Sequence, residues 1–321
     1  MKPFSLSKLV VAALLVLGLA YPAHADDKVK AVASFSILGD MVKNVGGDRV
    51  EVVELVGPDG DGHTYSPTPA DAKTLASAQI FIVNGLGFEG WMERLEKSSG
   101  FKGKKVVAST GVQPIKVEDE HEDHDKHGKD SHEDHAGGHH HHHGDTDPHA
   151  WQSLTNGAIY VANIRDGLIA ADPDGKAMYE ANAEKYLAAL KKEDVAVKAA
   201  IAALPEARRK VITSHDAFGY FGEAYGLEFM APEDVSTESE PSAKDVAEII
   251  RQIRKERIPA IFMENITNPK LVEQISRDTG ARIGGTLYSD ALSGPNGPAP
   301  TYLHMFKHNV ETLASTLASS S

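Results

Sequence analysis

The sequence predicts an α/β protein of two lobes, each with a mainly parallel sheet flanked by helices, joined by one long backbone helix. Short apolar runs rich in Val and Ile alternate with helical stretches, a pattern that favours parallel sheets covered on both faces. The alternation occurs twice, on either side of the stretch Pro173 to Leu204. That stretch has no Gly or Pro between Gly175 and Pro205. Within it Tyr179, Ala183, Tyr186, Leu187, Leu190, Val197, Ile201 and Leu204 fall mostly at helical spacings and form one apolar stripe. Asp172 is a suitable N-cap and Pro173 suits the first helical position. At ~1.5 Å per residue the helix would reach roughly 45 Å, longer than a small domain is wide. An ordinary surface helix would carry the same stripe; the repeated patterning on both sides favours a strut between lobes.

The elements follow in order. Val29–Phe35 reads as a strand, Ile37–Val45 as a helix ending at Gly46-Gly47, and Val50–Leu55 as a strand opening into the loop Val56 to His63. Pro69–Ala76 is a short helix, Ile80–Asn84 a strand, Glu89–Lys97 a helix and Lys105–Ala108 a strand. Leu154–Ala170 and the long stretch are helical. The alternation restarts with strand Lys210–Thr213, helix Ala217–Tyr225 and strand Leu227–Ala231. A helix from Ser242 to about Lys255, strand Ala260–Met263, helix Pro269–Thr279, strand Arg282–Leu287 and helix Tyr302–Leu317 complete the chain. The implied division is 1–25, a signal peptide; 26–172, an N-terminal lobe; 173–204, the linking helix; and 205–321, a C-terminal lobe.

The signal reading rests on Lys2 and Lys8, the apolar run Leu9 to Ala20 and the small-x-small site Ala23-His24-Ala25. Export to the periplasm with cleavage after Ala25 is expected. A membrane anchor is the alternative, but the chain has no Cys to carry a lipid; for the same reason it has no disulfides and no thiolate ligands. The net charge of −13 argues against nucleic acid or an anionic membrane surface as partner. Much of that charge lies between Glu118 and Asp147, with eleven acidic residues against two lysines. Within it, Glu118 to Gly144 holds ten histidines and no aliphatic core residue beyond one alanine, a composition expected to stay disordered. An engineered tag would explain only the five-His run His139 to His143.

Outside these segments only His63, His149, His215, His304 and His308 remain. His63 follows the second expected strand, His215 the first strand of the second lobe, and His149 stands between an ordered lobe and its next helix. In open parallel sheets, ligands bind beyond the carboxyl ends of the strands. Three imidazoles meeting there would make a zinc site, with a carboxylate completing a tetrahedron. Asp290, just after strand Arg282–Leu287, is the best fourth candidate; Glu264, at a strand end, is its rival. His304 and His308 share a helix face without an evident third ligand.

The segments Gly62-His63-Thr64-Tyr65-Ser66-Pro67-Thr68-Pro69, Asp147-Pro148-His149-Ala150-Trp151, Ser214-His215-Asp216-Ala217-Phe218-Gly219-Tyr220-Phe221 and Leu287-Tyr288-Ser289-Asp290 resemble the metal-site motifs of periplasmic zinc-binding proteins of ABC transporters, the ZnuA/AztC type. The resemblance covers nearly the whole mature chain in the same order. It implies one Zn²⁺ as transported ligand in an interlobe cleft, held by His63 and His149 from one lobe and His215 and Asp290 from the other. Manganese-selective relatives carry Glu at the position matching His215, and a His-rich insertion before Asp-Pro-His marks zinc members. The implied partners are a membrane permease and its ATPase, with a periplasmic zinc metallochaperone as a further candidate, and the protein is expected to be a monomer. Two features depart from the pattern: Gly62 replaces a carboxylate that some zinc members carry before the first histidine, and the disulfide of some members is missing.

Two other readings use the same residues. A zinc hydrolase would hold metal on the three histidines with Asp290 or Glu264 as base. Against it, the chain has no His-Glu-x-x-His, Gly-x-Ser-x-Gly or Gly-rich nucleotide motif. A zinc buffer or adhesin without a transporter would share the site. In the transport reading the His-rich segment is an auxiliary collector, since tethered weak ligands raise the local metal concentration. Deleting Glu118–Gly144 should then lower the number of zinc ions bound per chain; an unchanged stoichiometry refutes the collector role.

Overall fold

The computed structural model describes residues 28–117 and 146–318. The expected signal peptide and the His-rich segment 118–144 lie outside the described residues. The described chain forms two four-stranded sheets, both parallel throughout. The first has the order β2-β1-β3-β4, from β1 (Val29–Phe35), β2 (Val50–Val56), β3 (Ile80–Val83) and β4 (Lys104–Val107). The second has the order β6-β5-β7-β8, from β5 (Lys210–Ile212), β6 (Glu228–Met230), β7 (Ala260–Glu264) and β8 (Arg282–Leu287). Each order reverses beside its first strand, so the same architecture is used twice. Burial explains the composition of the central strands: in β1, Ala31, Val32, Ala33 and Phe35 are all buried, as a strand covered on both faces requires.

The helices of the first lobe are α1 (Ser36–Gly46), α2 (Pro69–Ala76) and α3 (Met92–Ser99), and α4 (Leu154–Ala171) and α5 (Lys176–Ala202) follow. The second lobe adds α6 (Gly219–Tyr225), α7 (Ala243–Glu256), α8 (Pro269–Thr279) and α9 (Tyr302–Ala318). Local chemistry sets several starts. Thr68 with Asp71, and Ser242 with Asp245, form reciprocal capping boxes at α2 and α7, and Asn268 caps α8 ahead of Pro269.

Two expected helix starts lie further along the chain than the sequence indicates. α3 begins at Met92, not Glu89, because the Glu89 carboxylate instead accepts the backbone N–H groups of Asn84 and Gly85. The long helix begins at Lys176, after a 3-10 turn over Pro173–Gly175, and ends at Ala202. Asp172 makes no cap there. Its carboxylate takes the Arg49 guanidinium at 2.8 and 3.0 Å and the Tyr179 hydroxyl at 2.6 Å, tying the turn to the first lobe. The other elements match expectation to within one or two residues, the usual latitude at element ends.

The expected apolar stripe of α5 is the face that is buried: Tyr179, Ala183, Tyr186, Leu190, Val197 and Ile201. The stripe packs on α1 and α4 from the first lobe and on α9 from the second. One hydrophobic core therefore runs through both lobes, and a smaller cluster around Ile249, Ile253, Val272 and Ile275 sits under α7 and α8. Asp40 on α1 reinforces the junction by accepting the Tyr186 hydroxyl at 3.2 Å and the Tyr302 N–H at 3.0 Å. Near the strand ends, Asp59 N–H donates to Leu292 O at 2.8 Å and Leu292 N–H to Ser36 Oγ at 2.9 Å. The carboxyl ends of the two sheets consequently face each other across one cleft.

Gly157 in α4 tests this packing. A Cβ there would stand 2.6 Å from the Tyr302 hydroxyl and 3.0 Å from its ring. Gly→Ala in a helix ordinarily gains about 1 kcal/mol. Here overpacking against the buried Tyr302 should prevail, so Gly157→Ala is expected to destabilise the protein by about 1–3 kcal/mol in urea unfolding.

Candidate metal centre

His63 closes the loop that follows β2. Asp61 accepts its backbone N–H at 2.9 Å, an Asx turn, and also receives the Thr64 and Thr237 hydroxyls at 2.9 and 2.6 Å, the last from the opposite lobe. The Phe88 ring meets the imidazole edge-on at 4.6 Å, and Gly62 leaves room for it, since a Cβ there would stand 2.6 Å from Phe88. The neighbouring Trp91 donates its indole N–H to Gly62 O at 2.8 Å.

His149 is held from two residues away. Asp147 Oδ1 accepts its backbone N–H at 2.9 Å and lies 2.8 Å from its Nδ1. His215 follows β5 and is fixed by Glu264 at the end of β7: Oε1 accepts the N–H groups of Ser214 and His215 at 2.8 and 2.9 Å. Glu264 Oε2 lies 2.7 Å from His215 Nδ1, an ion contact not aligned as a hydrogen bond. Asp290 follows β8, and the preceding carbonyl, Ser289 O, receives the Trp151 indole N–H at 2.9 Å and the Gln152 amide at 2.7 Å.

The four side chains converge. Their donor atoms all lie within 4.8 Å of one another, and all four residues are buried. His63 Nε2 stands 3.2 Å from His149 Nε2 and 3.2 Å from Asp290 Oδ2. Asp290 Oδ2 is 3.4 Å from His215 Nε2, and Oδ1 is 3.5 Å from His149 Nε2. A tetrahedral ion bound at ~2.0–2.1 Å requires donor atoms about 3.3 Å apart, and the His63–His149, His63–Asp290 and His215–Asp290 separations, taken through Asp290 Oδ2, are close to that. Carboxylates behind the Nδ1 atoms of His149 and His215 leave both Nε2 atoms to face the centre, the usual support for metal-bound imidazoles. Both oxygens of Asp290 are buried, and among the described residues no hydrogen-bond donor is aimed at them.

Electrostatics follow from that carboxylate. Burial alone would raise the Asp290 pKa, but the charges of His149 and His215 outweigh it and hold the group well below the usual carboxylate range. Burial would likewise lower His149; Asp290 and Asp147 overcome it and hold its pKa up at about 9. His215 is raised well above its ordinary value, burial being outweighed by Glu264 and Asp290. In His63 burial prevails and its pKa is lowered. Without metal, protons on His149 and His215 therefore balance the anion at neutral pH.

All four residues singled out in the sequence stand at this centre. Glu264 does not compete with Asp290: it lies behind His215, on the Nδ1 side. His304 is exposed beside Thr301, and His308 lies 3.0 Å from Thr286 O, so neither reaches the cleft. The sequence reading missed Asp147 as a support for His149. The signal is its position two residues before the histidine, where Asp commonly accepts a backbone N–H. Glu264 and His215 are 49 residues apart, and no local pattern links them.

The chain matches, over residues 31–316, the family described as zinc-uptake complex component A, periplasmic, and it belongs to that family. It is 33% identical to the manganese-binding lipoprotein MntA of Halalkalibacterium halodurans, over 90% of this chain and 89% of that one. It is 31% identical to the iron-binding protein YfeA of Yersinia pestis, over 91% and 88%. Among solved structures it resembles the periplasmic zinc binding protein TroA from Treponema pallidum, with a TM-score of 0.80, 29% identity and coverage of 90% and 99%. The relatives are binding proteins, and the chain is not an enzyme.

The charge pattern gives a pH dependence for the metal-free protein. A raised pKa means that the His149 contribution to stability is fully present below pH ~6.5 and is lost as pH rises through about 9. His63 acts in the opposite sense, opposing folding only as pH falls below ~6.5. Urea unfolding of chelator-treated protein should show stability declining between about pH 6.5 and 9; a flat profile refutes the charge assignment.

Proposed function

We propose that this chain is the solute-binding component of an ABC importer, capturing Zn²⁺ in the cleft between its lobes and delivering it to a membrane permease driven by an ATPase. His63, His149, His215 and Asp290 are the proposed ligands. The observation that carries the reading is Asp290: a buried carboxylate with no aligned hydrogen bond among the described residues, its oxygens 3.2, 3.4 and 3.5 Å from three imidazole nitrogens. Leaving a buried anion uncompensated is costly, and a dication bound at the centre compensates it.

The named relatives differ in metal, binding manganese, iron and zinc, so the choice rests on the donors. Three neutral imidazoles and one carboxylate form a borderline-soft set that suits zinc, whereas manganese favours oxygen-rich, octahedral surroundings. Copper(II) would bind at least as tightly by the usual affinity order, so selectivity against it rests on geometry and availability. Loading exchanges charge for charge: Zn²⁺ displaces the Nε2 protons of His149 and His215, and the total charge around Asp290 is unchanged. The shared core and cross-lobe hydrogen bonds resist wide opening, so release proceeds by small shifts of loops and lobes.

Calorimetric titration at pH 7 in buffers of differing ionisation enthalpy tests this. Zinc should bind one ion at the cleft with release of about two protons, manganese should bind more weakly, and His149→Ala should weaken zinc binding more than about a hundredfold. Manganese binding more tightly than zinc refutes the metal assignment, and zinc binding unaffected by His149→Ala refutes the site.

A further inference from the structure

We infer that the loop from Asn84 to Trp91, which supplies no ligand, positions both first-lobe histidines, with Asn84 and Trp91 as the positioning residues. The inference rests on His63 and His149 being metal ligands. The loop leaves the end of β3 in a demanding conformation: Gly85, Leu86 and Gly87 have φ of +84°, +54° and +84°. A leucine in the left-handed region persists only where its surroundings dictate it.

Glu89 provides that constraint. Its carboxylate is buried; Oε1 accepts the Ser34 hydroxyl at 2.7 Å and Asn84 N–H at 2.6 Å, and Oε2 accepts Gly85 N–H at 3.1 Å. The Ser109 hydroxyl donates to Asn84 O at 2.6 Å, anchoring the loop to the end of β4.

Two arms reach the centre from this base. The Asn84 side-chain N–H donates to Pro148 O at 2.9 Å, while the Tyr160 hydroxyl donates to Asn84 Oδ1 and fixes which way the amide faces. At the other end, Trp91 Nε1–H donates to Gly62 O at 2.8 Å. Both accepting carbonyls belong to the residue immediately before a histidine of the centre. Fixing that peptide plane sets where the Cα–Cβ bond of the next residue points. Between the arms Phe88 stacks edge-on against His63 at 4.6 Å and Trp151 at 4.9 Å, filling the space into which either imidazole could turn. One loop thus fixes the spacing between two ligands that lie 86 residues apart in sequence.

The test uses the full-length chain with Co²⁺ as optical probe and Zn²⁺ in competition. Asn84→Ala loosens His149 and Trp91→Phe loosens His63, the latter keeping an aromatic ring in place. Each should weaken zinc binding about 10- to 100-fold, the range found for partners that orient metal ligands, and each should reduce the intense visible absorption of tetrahedral cobalt. Gly103→Ala, whose Cβ would stand 2.5 Å from Gln79 O at the amino ends of β3 and β4, the opposite end of these strands from the loop, is a packing control that should lower Tm without moving the cobalt spectrum. Should Asn84→Ala fail to fold, Trp91→Phe decides alone. Wild-type affinity and an unaltered cobalt spectrum in the folded variants overturn this inference, and an unmodified protein that binds neither metal overturns the site reading and this inference with it.

Discussion

A carboxylate sealed away from water among three imidazoles is the constraint on which the structure depends. Among the described residues, no serine, amide or backbone N–H satisfies Asp290. An anion in that position is tolerable only beside positive charge. The protein has two ways to supply it: protons on His149 and His215, or, in the proposed function, one divalent cation in their place. In the proposed function metal and protons compete for the same nitrogens, so binding weakens as the solution becomes more acidic.

The fold serves this constraint by bringing strand ends together from two sheets. Parallel strands place their carboxyl ends on one side, and two such sheets facing each other bring His63, His149, His215 and Asp290, the proposed ligands, together from both. What fixes the ligands is chiefly backbone control. The carbonyls before His63, His149 and Asp290 each accept a side-chain N–H, from Trp91, Asn84, and Trp151 with Gln152 respectively. At His215 the polarity is reversed, and Glu264 accepts the backbone N–H groups. Trp151 and Gln152 belong to the first-lobe side of the chain yet hold Ser289 of the second, so the ligand from one lobe is oriented by the other.

Much of this was legible in the sequence because its causes are local. Alternating apolar runs, the glycine-free stretch before Pro205 and the polar residues ahead of α2, α7 and α8 each determine structure within a few neighbouring residues. The residues of the centre were legible for a different reason: outside the acidic segment the chain has few histidines, His63 and His215 follow strands, and His149 stands just before the next helix. The supports were not legible. Glu89 looks like the first turn of an amphipathic helix, and only the folded chain brings Ser34 and the backbone of Asn84 to its carboxylate. Asp172 looks like a helix cap, but Arg49, 123 residues away, claims it. In both cases donors brought up by the fold, neutral ones at Glu89 and a guanidinium at Asp172, took the carboxylate from the local role that the spacing suggested.

The four proposed ligands are not equally secured, and the difference has a direction. His149 and His215 each have a carboxylate within 2.8 Å of Nδ1, which fixes the ring and strengthens the Nε2 lone pair. Among the described residues no carboxylate stands behind His63; it is held by its backbone, by Phe88 and by the peptide plane of Gly62. It is also the one histidine of the three whose pKa burial has lowered. Its loop meets the opposite lobe through Asp61 and Thr237, a side chain–side chain contact that a small lobe shift can break without disturbing either sheet. In the proposed function, a centre that both holds zinc and surrenders it is served by one bond that yields before the others, and His63, on the loop bonded to Thr237 of the opposite lobe, is the proposed ligand with the least support behind its ring.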